Sequence, residues 1–400
     1  MTAKVIKLSA REARLKRMIR GHLRGLGFTR ASDGTLLAPN LNKDTYRSFH
    51  AAQREEKLNR NRAWLDRSSD RLLGWFADGS DLIPREIRPQ LELVNQGTWQ
   101  SDLFRMAAMY WQVPVSDGYG RRMRFLVWDR SNEKLVGIIA LGDAVFNQAA
   151  RDAFVGWDHH RRKDALVNLM DAYVLGAVPP YSQILGGKLV ASLISTNEVA
   201  AAFKSKYASS VGLISGRCKR AKLVAVTTTS ALGRSSIYNR LRLGGRLLLE
   251  PIGFTSGWGH FHFSGKVFDE LRDYLEDIGD GYANGFEFGS GPNWRIRVIR
   301  KALDCLGMDS SLAKHGFKRE VYFSRLATNA EAYLRGDEKK ARFDQIQSVD
   351  QRAEMALGRW VIPRSDRDSS FLEWRKERIV SSIYATGKQT LEDAALGMGA

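Results

Sequence analysis

From residue 85 onward the chain alternates short apolar runs with helical stretches, and this alternation limits the possible folds more than any other feature. Arg124–Trp128 (RFLVW) and Lys134–Leu141 (KLVGIIAL) have strand length and strand composition, and the polar Asp129–Glu133 between them fits a hairpin connection. Ala172–Ala177 predicts a further strand. Pro179–Pro180 then breaks the chain, and Gly186–Gly187 opens a helix that runs through Phe203. Leu223–Val226 is a strand, followed by a polar turn and a helix from Ser235 or Ser236. Leu247–Ile252 and Gly259–Phe263 add strands, and Val267–Tyr274 a helix. The pattern predicts an α/β (α+β) core, a mixed sheet with flanking helices.

The two ends differ from this core. Residues 9–27 predict a basic amphipathic helix, with Leu15, Met18, Ile19, His22 and Leu26 at helical spacing and Arg14, Arg17, Arg20 and Arg24 on another face. Residues 40–75 continue helical and highly charged, and the turn-rich 76–84 marks a boundary. The expected organisation is a basic helical N-terminal arm over 1–80 and a mixed α/β core over 85–285. A basic helix block follows over 286–335, then a charged helical C-terminal tail over 338–400. There is no internal repeat.

A net charge of +18 makes polyanions the natural partners of such a chain. Charge spread along the sequence together with aromatic residues favours nucleic acid; composition does not separate DNA from RNA, and DNA is the expected partner. The two cysteines, Cys218 and Cys305, have neither metal nor redox spacing, so no disulfide framework or zinc motif follows. Met1–Leu8 is too short and polar for a secretory signal, and no apolar run approaches the roughly 20 residues of a membrane span. The expected location is cytoplasmic, with no membrane partner.

Five stretches carry possible chemistry. In Val178–Leu189 (VPPYSQILGGKL) glycines before a helix allow backbone amides to approach an anion, with Lys188 adding charge; a tight strand-to-helix turn is the structural alternative. It is not a Walker A loop, because Ser182 and Leu189 occupy required positions. Thr227–Leu241 (TTTSALGRSSIYNRL) crowds hydroxyls at a strand exit flanked by Arg234 and Arg240, as a ligand site or as a capped hydrogen-bond network. In Ser116–Arg124 (SDGYGRRMR), Arg121, Arg122 and Arg124 follow a Gly-Tyr-Gly turn suited to a nucleic-acid backbone and a stacked base. Gly257–Phe263 (GWGHFHF) places His260 and His262 on one strand face, more in keeping with a core pair than a metal site. Gly289–Lys301 (GSGPNWRIRVIRK) is the best basic-plus-aromatic stretch, offering Arg295, Arg297 and Arg300 to phosphates. Asp143, Asp158 and Asp171, with His159 and His160, lie at no recognised ligand spacing, so no metal is assigned.

Together, the runs Ser116–Asp129, Val136–Asn147, Met170–Leu189, Thr227–Leu241, Gly257–Phe263, Gly291–Lys301 and His315–Tyr322 (HGFKREVY) resemble the DruA family of the Druantia anti-phage defence systems, over roughly residues 85–335. The resemblance implies a role in bacterial defence beside a large helicase-type partner and supplies no mechanism. The order hairpin, strand, proline exit, glycine loop, helix, strand, helix also looks like a GCN5-related N-acyltransferase core. That second resemblance implies that Gln183, Gly186, Gly187 and Lys188 would hold acyl-coenzyme A, with Lys188 departing from the expected Gly or Ala. It further implies Tyr238 as a general acid. Fold alone establishes neither activity.

The expected function is a nucleic-acid-binding component of an anti-phage system, with Arg121, Arg122, Arg124, Arg234, Arg240, Arg295, Arg297 and Arg300 on phosphates. The alternatives are an acyltransferase-like enzyme modifying nucleic acid or protein, and a metal-dependent nuclease or transposition-related factor using carboxylates such as Asp143, Asp158 and Asp171.

Overall fold

The computed structural model describes residues 9–30, 32, 36–37, 39, 42–115, 120–211, 218–263, 265–284 and 294–385. Ser116–Tyr119 and residues 289–293, both within stretches singled out above, lie outside the described residues. The chain forms two compact units, each made of two separated stretches: residues 1–57 with 256–318, and residues 58–255 with 319–400. Among the described residues no helix is long and apolar enough to cross a membrane.

The smaller unit holds α1 (Ala10–Gly25), the start of α2 (Lys43–Leu73), α8 (Lys266–Asp277) and α9 (Trp294–Cys305). Ser9 caps α1 reciprocally with Glu12, each side chain bonding the other's amide at 3.2 and 3.0 Å. Leu15, Ile19 and Leu23, four residues apart, are its buried stripe, while Arg14, Arg17, Arg20 and Arg24 are exposed. Glu12 also accepts from the Tyr274 hydroxyl on α8 at 3.1 Å. The centre of this unit is aromatic: Phe28 meets Phe49, and Phe49 meets Phe317, at centroid distances of 5.4 and 4.9 Å.

The stretch Gly257–Phe263 departs from the predicted strand. It makes a single antiparallel bridge, Trp258 with Lys314, and then a 3-10 turn over Phe261–Phe263. Gly257 has φ +76, and a Cβ there would sit 3.0 Å from the Gly316 backbone, so a close chain crossing replaces the ladder. His262 goes into the core at 1% exposure, and its Nε2 donates to the Leu312 carbonyl at 2.8 Å. His22 Nε2 donates in turn to the His262 carbonyl at 2.9 Å.

Burial holds His262 neutral, its pKa pushed down to about 4 from 6.5, with His260 and His22 opposing a charge there as well. The unfolded chain therefore binds this proton first. The stabilisation is complete above pH 6.5 and declines as pH falls towards 4, by about 1.4 kcal/mol per pH unit and about 3 kcal/mol in total. Urea titrations at pH 7 and pH 5 should show this loss. In His262→Gln, which cannot titrate, this contribution to the pH dependence should vanish.

The larger unit is built on seven strands: β1 (Pro89–Leu93), β2 (Arg122–Asp129), β3 (Lys134–Asp143), β4 (Leu169–Ala177), β5 (Ala225–Thr229), β6 (Glu250–Phe254) and β7 (Glu320–Arg325). Their order is β6-β7-β5-β4-β3-β2-β1, antiparallel throughout except for the parallel pair β4/β5. A parallel pair needs a crossover, here α6 (Gly186–Ser192) and α7 (Asn197–Tyr207). The sequence predicts one helix through Phe203. It breaks because the Ser192 and Thr196 hydroxyls turn back to the Leu189 and Leu193 carbonyls at 2.6 and 2.9 Å, and the Asn197 amide leaves to bond Gln347.

One sheet face carries Phe125, Val127, Ile139, Leu141 and Ala172, packed with α6 and α11 (Val349–Ala356). The opposite face is covered in two patches. Leu126, Trp128, Ile138, Ala140 and Val174 pack with α3 (Trp99–Met109) and with Leu58, Leu65 and Leu72 of α2. Leu169, Ala225 and Phe323 pack with Val155 of α4 (Ala149–Val155), Ala165 of α5 (His159–Ala165) and Leu334 of α10 (Ala330–Arg335). The segment expected as a charged tail supplies Val349, Ala353, Trp360 and Phe371 to the first face. Trp374, Ile379 and Ile383 go to the other.

Candidate functional site

The glycine loop follows β4. Tyr181–Ile184 forms a 3-10 turn, Leu185 takes φ +62, and α6 begins at Gly186. A Cβ on Gly186 would lie 2.5 Å from the Tyr181 carbonyl oxygen, and one on Gly187 would lie 3.2 Å from Ile237 Cδ1. Both glycines thus serve the chain's own close packing. The Lys188 ammonium stands 5.8 Å from the Trp360 ring centroid, and burial lowers its pKa. Gly186→Ala should cost about 1–3 kcal/mol by overpacking against backbone, read as a shift of the urea midpoint.

At the β5 exit the hydroxyls are engaged. Thr227 donates to Asp171 at 2.9 Å, Thr228 to the Ala172 carbonyl at 2.8 Å, and the Ser230 amide to the Glu320 carbonyl. The helix predicted from Ser235 is instead a series of turns. Ser235 Oγ accepts from the Tyr238 amide, but Arg240 has φ +62, which an α-helix cannot contain. The Tyr238 hydroxyl donates to the Leu175 carbonyl at 3.0 Å, and its ring meets Tyr322 edge-on. Burial raises the Tyr238 pKa.

The predicted arginines fall into different settings. Arg121 is held by Asp143 at 2.7 Å and donates to the Val167 and Leu169 carbonyls. Arg122 and Arg124 are half-buried on β2, and Arg124 lies over the Phe104 ring at 5.4 Å. Arg234 is exposed, 3.4 Å from Glu320, and Arg240 is exposed in its turn. On α9, Arg295 covers the Phe268 ring at 4.2 Å. Arg297 and Arg300 face solvent, and Arg300 stacks on the exposed Trp258 ring at 4.8 Å.

A polar strip lies on the sheet face with two apolar patches, between them; it gathers Arg122, Arg124, Asp171 and Thr227, which the sequence marks out separately, with Gly142, Tyr173 and Gln148, which it does not. Side chains alternate along a strand, so Arg122 and Arg124 continue the face of Leu126, Gly142 that of Ala140, and Asp171 that of Leu169. The register sets Arg122, Gly142, Asp171 and Thr227 in one row across β2, β3, β4 and β5. The Tyr173 ring leans over Gly142, where a Cβ would meet it at 3.2 Å. Gln148 donates to Thr229 at 3.4 Å from the edge of the row. Burial raises the Asp171 pKa, against the Thr227 bond and the Arg151 and Arg319 charges. None of these residues lies at a recognisable spacing; only the pairing of distant strands assembles them.

The three carboxylates considered for metal chemistry are not gathered. Asp143 holds Arg121, Asp158 caps α5 through the Arg161 amide, and Asp171 takes the Thr227 bond. Among the described residues no group of three or more His, Cys, Asp or Glu is placed to hold a metal ion.

Comparison with known proteins agrees with the resemblance read from residues 85–335. No solved structure matches this chain. The Druantia protein DruA of Escherichia coli (strain UMEA 4076-1) is 49% identical over 379 residues, covering 95% of this chain and 94% of that protein. The family model described as Druantia protein DruA matches residues 40–336, so the match begins near α2 and runs past β7. On these two matches, the chain belongs to the DruA family of Druantia proteins.

Proposed function

We propose that this protein acts in a Druantia anti-phage system as a nucleic-acid-binding component, holding phage DNA or a processing intermediate beside a helicase-type partner. The observation that carries the reading is the α9 surface. There Arg300 is stacked on the exposed Trp258 ring and Arg297 stands one turn before it on the same helix, also exposed. A guanidinium braced on an indole keeps its fork ordered for a phosphate, and the exposed indole adds aromatic surface for a base. Arg234 and Arg240 offer further exposed cations at the β5 exit, and the net charge of +18 favours any polyanion.

The test is binding of the purified protein to labelled single- and double-stranded DNA across a salt series. Tight binding with a steep salt slope supports the reading and tells which strand form is held. No binding near ~50 mM salt would sink it.

The acyl-transfer alternative has less geometric support. Gly186 and Gly187 are enclosed by Tyr181 and Ile237, and the Tyr238 hydroxyl is bonded to Leu175, so a coenzyme would have to displace these groups. Calorimetric titration of acetyl-coenzyme A tests it directly.

A further inference from the structure

We propose that the polar strip on the sheet of the larger unit is a binding site for a nucleotide-type phosphate ester. Arg122 and Arg124 would take the phosphate, and Asp171, Tyr173 and Gln148 the rest of the ligand. This goes beyond the reading above and uses different residues from the α9 surface.

The first argument is hydrogen-bond accounting. Arg122 Nε, Arg124 Nε, the Tyr173 hydroxyl and Gln148 Oε1 are all buried and have no hydrogen-bond partner among the described residues. Buried polar groups are nearly always paired, and each one left unpaired is costly. Three of them on strands of one sheet and the fourth at the start of α4, bonded to Thr229 of that sheet, point to an external partner. Among the described residues neither Arg122 nor Arg124 has an ion-pair partner, whereas Arg121 beside them is fully engaged by Asp143 and two carbonyls.

The second argument is placement. The row lies between the two apolar patches that cover this face, so α3 and α4 flank it. Gly142 in the middle of the row carries no side chain, and Tyr173 leans across it from β4 in the direction of β2, which carries both arginines.

The third argument is chemistry. Two adjacent guanidinium forks suit a phosphate. Asp171 and Gln148 Oε1 are acceptors suited to the hydroxyl or amino groups of a sugar and base. The Phe104 ring already beneath Arg124 and the Tyr173 ring give aromatic surface. A simple inorganic anion would leave Asp171 and Gln148 unused.

The experiment uses the full-length protein and two pairs of probes: adenosine 5′-monophosphate against adenosine, and a 5′-phosphorylated oligonucleotide against its 5′-hydroxyl form. The phosphorylated member of at least one pair should bind about tenfold or more tightly, and Arg124→Gln should abolish that preference. Tyr173→Phe keeps the ring and should weaken the phosphorylated probe several-fold, which covers the case in which Arg124→Gln does not fold. A preference in the mononucleotide pair assigns a free nucleotide. A preference confined to the oligonucleotide pair assigns a strand terminus. If neither phosphate improves binding, or if the preference survives in both Arg124→Gln and Tyr173→Phe, the proposal is overturned.

Discussion

Replacing Arg151 with methionine should lower the unfolding free energy by about 3–5 kcal/mol, the loss typical of removing one partner from a buried ion pair. Arg151 on α4 is 0% exposed. Its guanidinium donates to the Val145 and Phe146 carbonyls at 2.5 and 3.0 Å, and to Asp152 at 2.9 and 2.7 Å. Asp152 also accepts from Arg162 at 2.7 Å and Trp157 at 3.0 Å. Burial alone would raise the Asp152 pKa, but the bonds from Arg151, Trp157 and Arg162 hold it below the ordinary value of 3.8. Its contribution is therefore present above that value and lost as pH falls below it. Methionine fills the volume but leaves two carbonyls unpaired and Asp152 short of a cation. Urea unfolding at pH 7 measures the difference, and a loss below ~1 kcal/mol would show that the network is relaxed by solvent. Gln148 precedes Arg151 by one helical turn, so the same variant should also disturb the edge of the polar strip.

The second large effect is expected in binding. Arg297→Gln with Arg300→Gln should flatten the logarithmic salt dependence of DNA affinity by about two units, close to one for each phosphate no longer neutralised. Affinity at low salt should fall by about tenfold or more, and by similar factors on unrelated sequences, since phosphate contacts position without reading bases. Stability should change little, because both side chains face solvent. A double variant that keeps both the affinity and the slope of the parent would place the DNA surface elsewhere, with Arg234 and Arg240 as the next pair to neutralise.

The sheet is legible in the sequence where neighbours along the chain are neighbours in space. The hairpin β2/β3 and strand β4 announce themselves through apolar runs bounded by turn residues, and the crossover helix through its prolines and glycines. What escapes is set by distant partners. Strand β7 inserts between β5 and β6, and nothing in HGFKREVY declares that its second half pairs with residues near 227. The turns after Ser235 have helical composition, yet Tyr238 is drawn to Leu175 and Tyr322. His262 is a core residue, as the sequence suggests, although its strand is absent, because burial among aromatics depends on composition more than on backbone form. Arg122, Arg124, Asp171 and Thr227 stand out singly in the sequence, but their grouping into one strip is invisible for the same reason as β7. Its row joins residues 122, 142, 171 and 227, which only the register brings together.

The division of the smaller unit into two stretches governs how this protein must be made. Helix α1 packs against α8, which begins at Lys266, so the first helix leaves the ribosome long before this partner exists. At ordinary synthesis rates the wait is on the order of tens of seconds, far longer than a helix needs to form. During that interval Leu15, Ile19 and Leu23 are unsheltered, while the larger unit is still missing β7. Nascent chains interrupted before residue 320 thus carry two incomplete cores at once, and their yield should depend on holding chaperones more steeply than that of a protein of equal length with sequential domains.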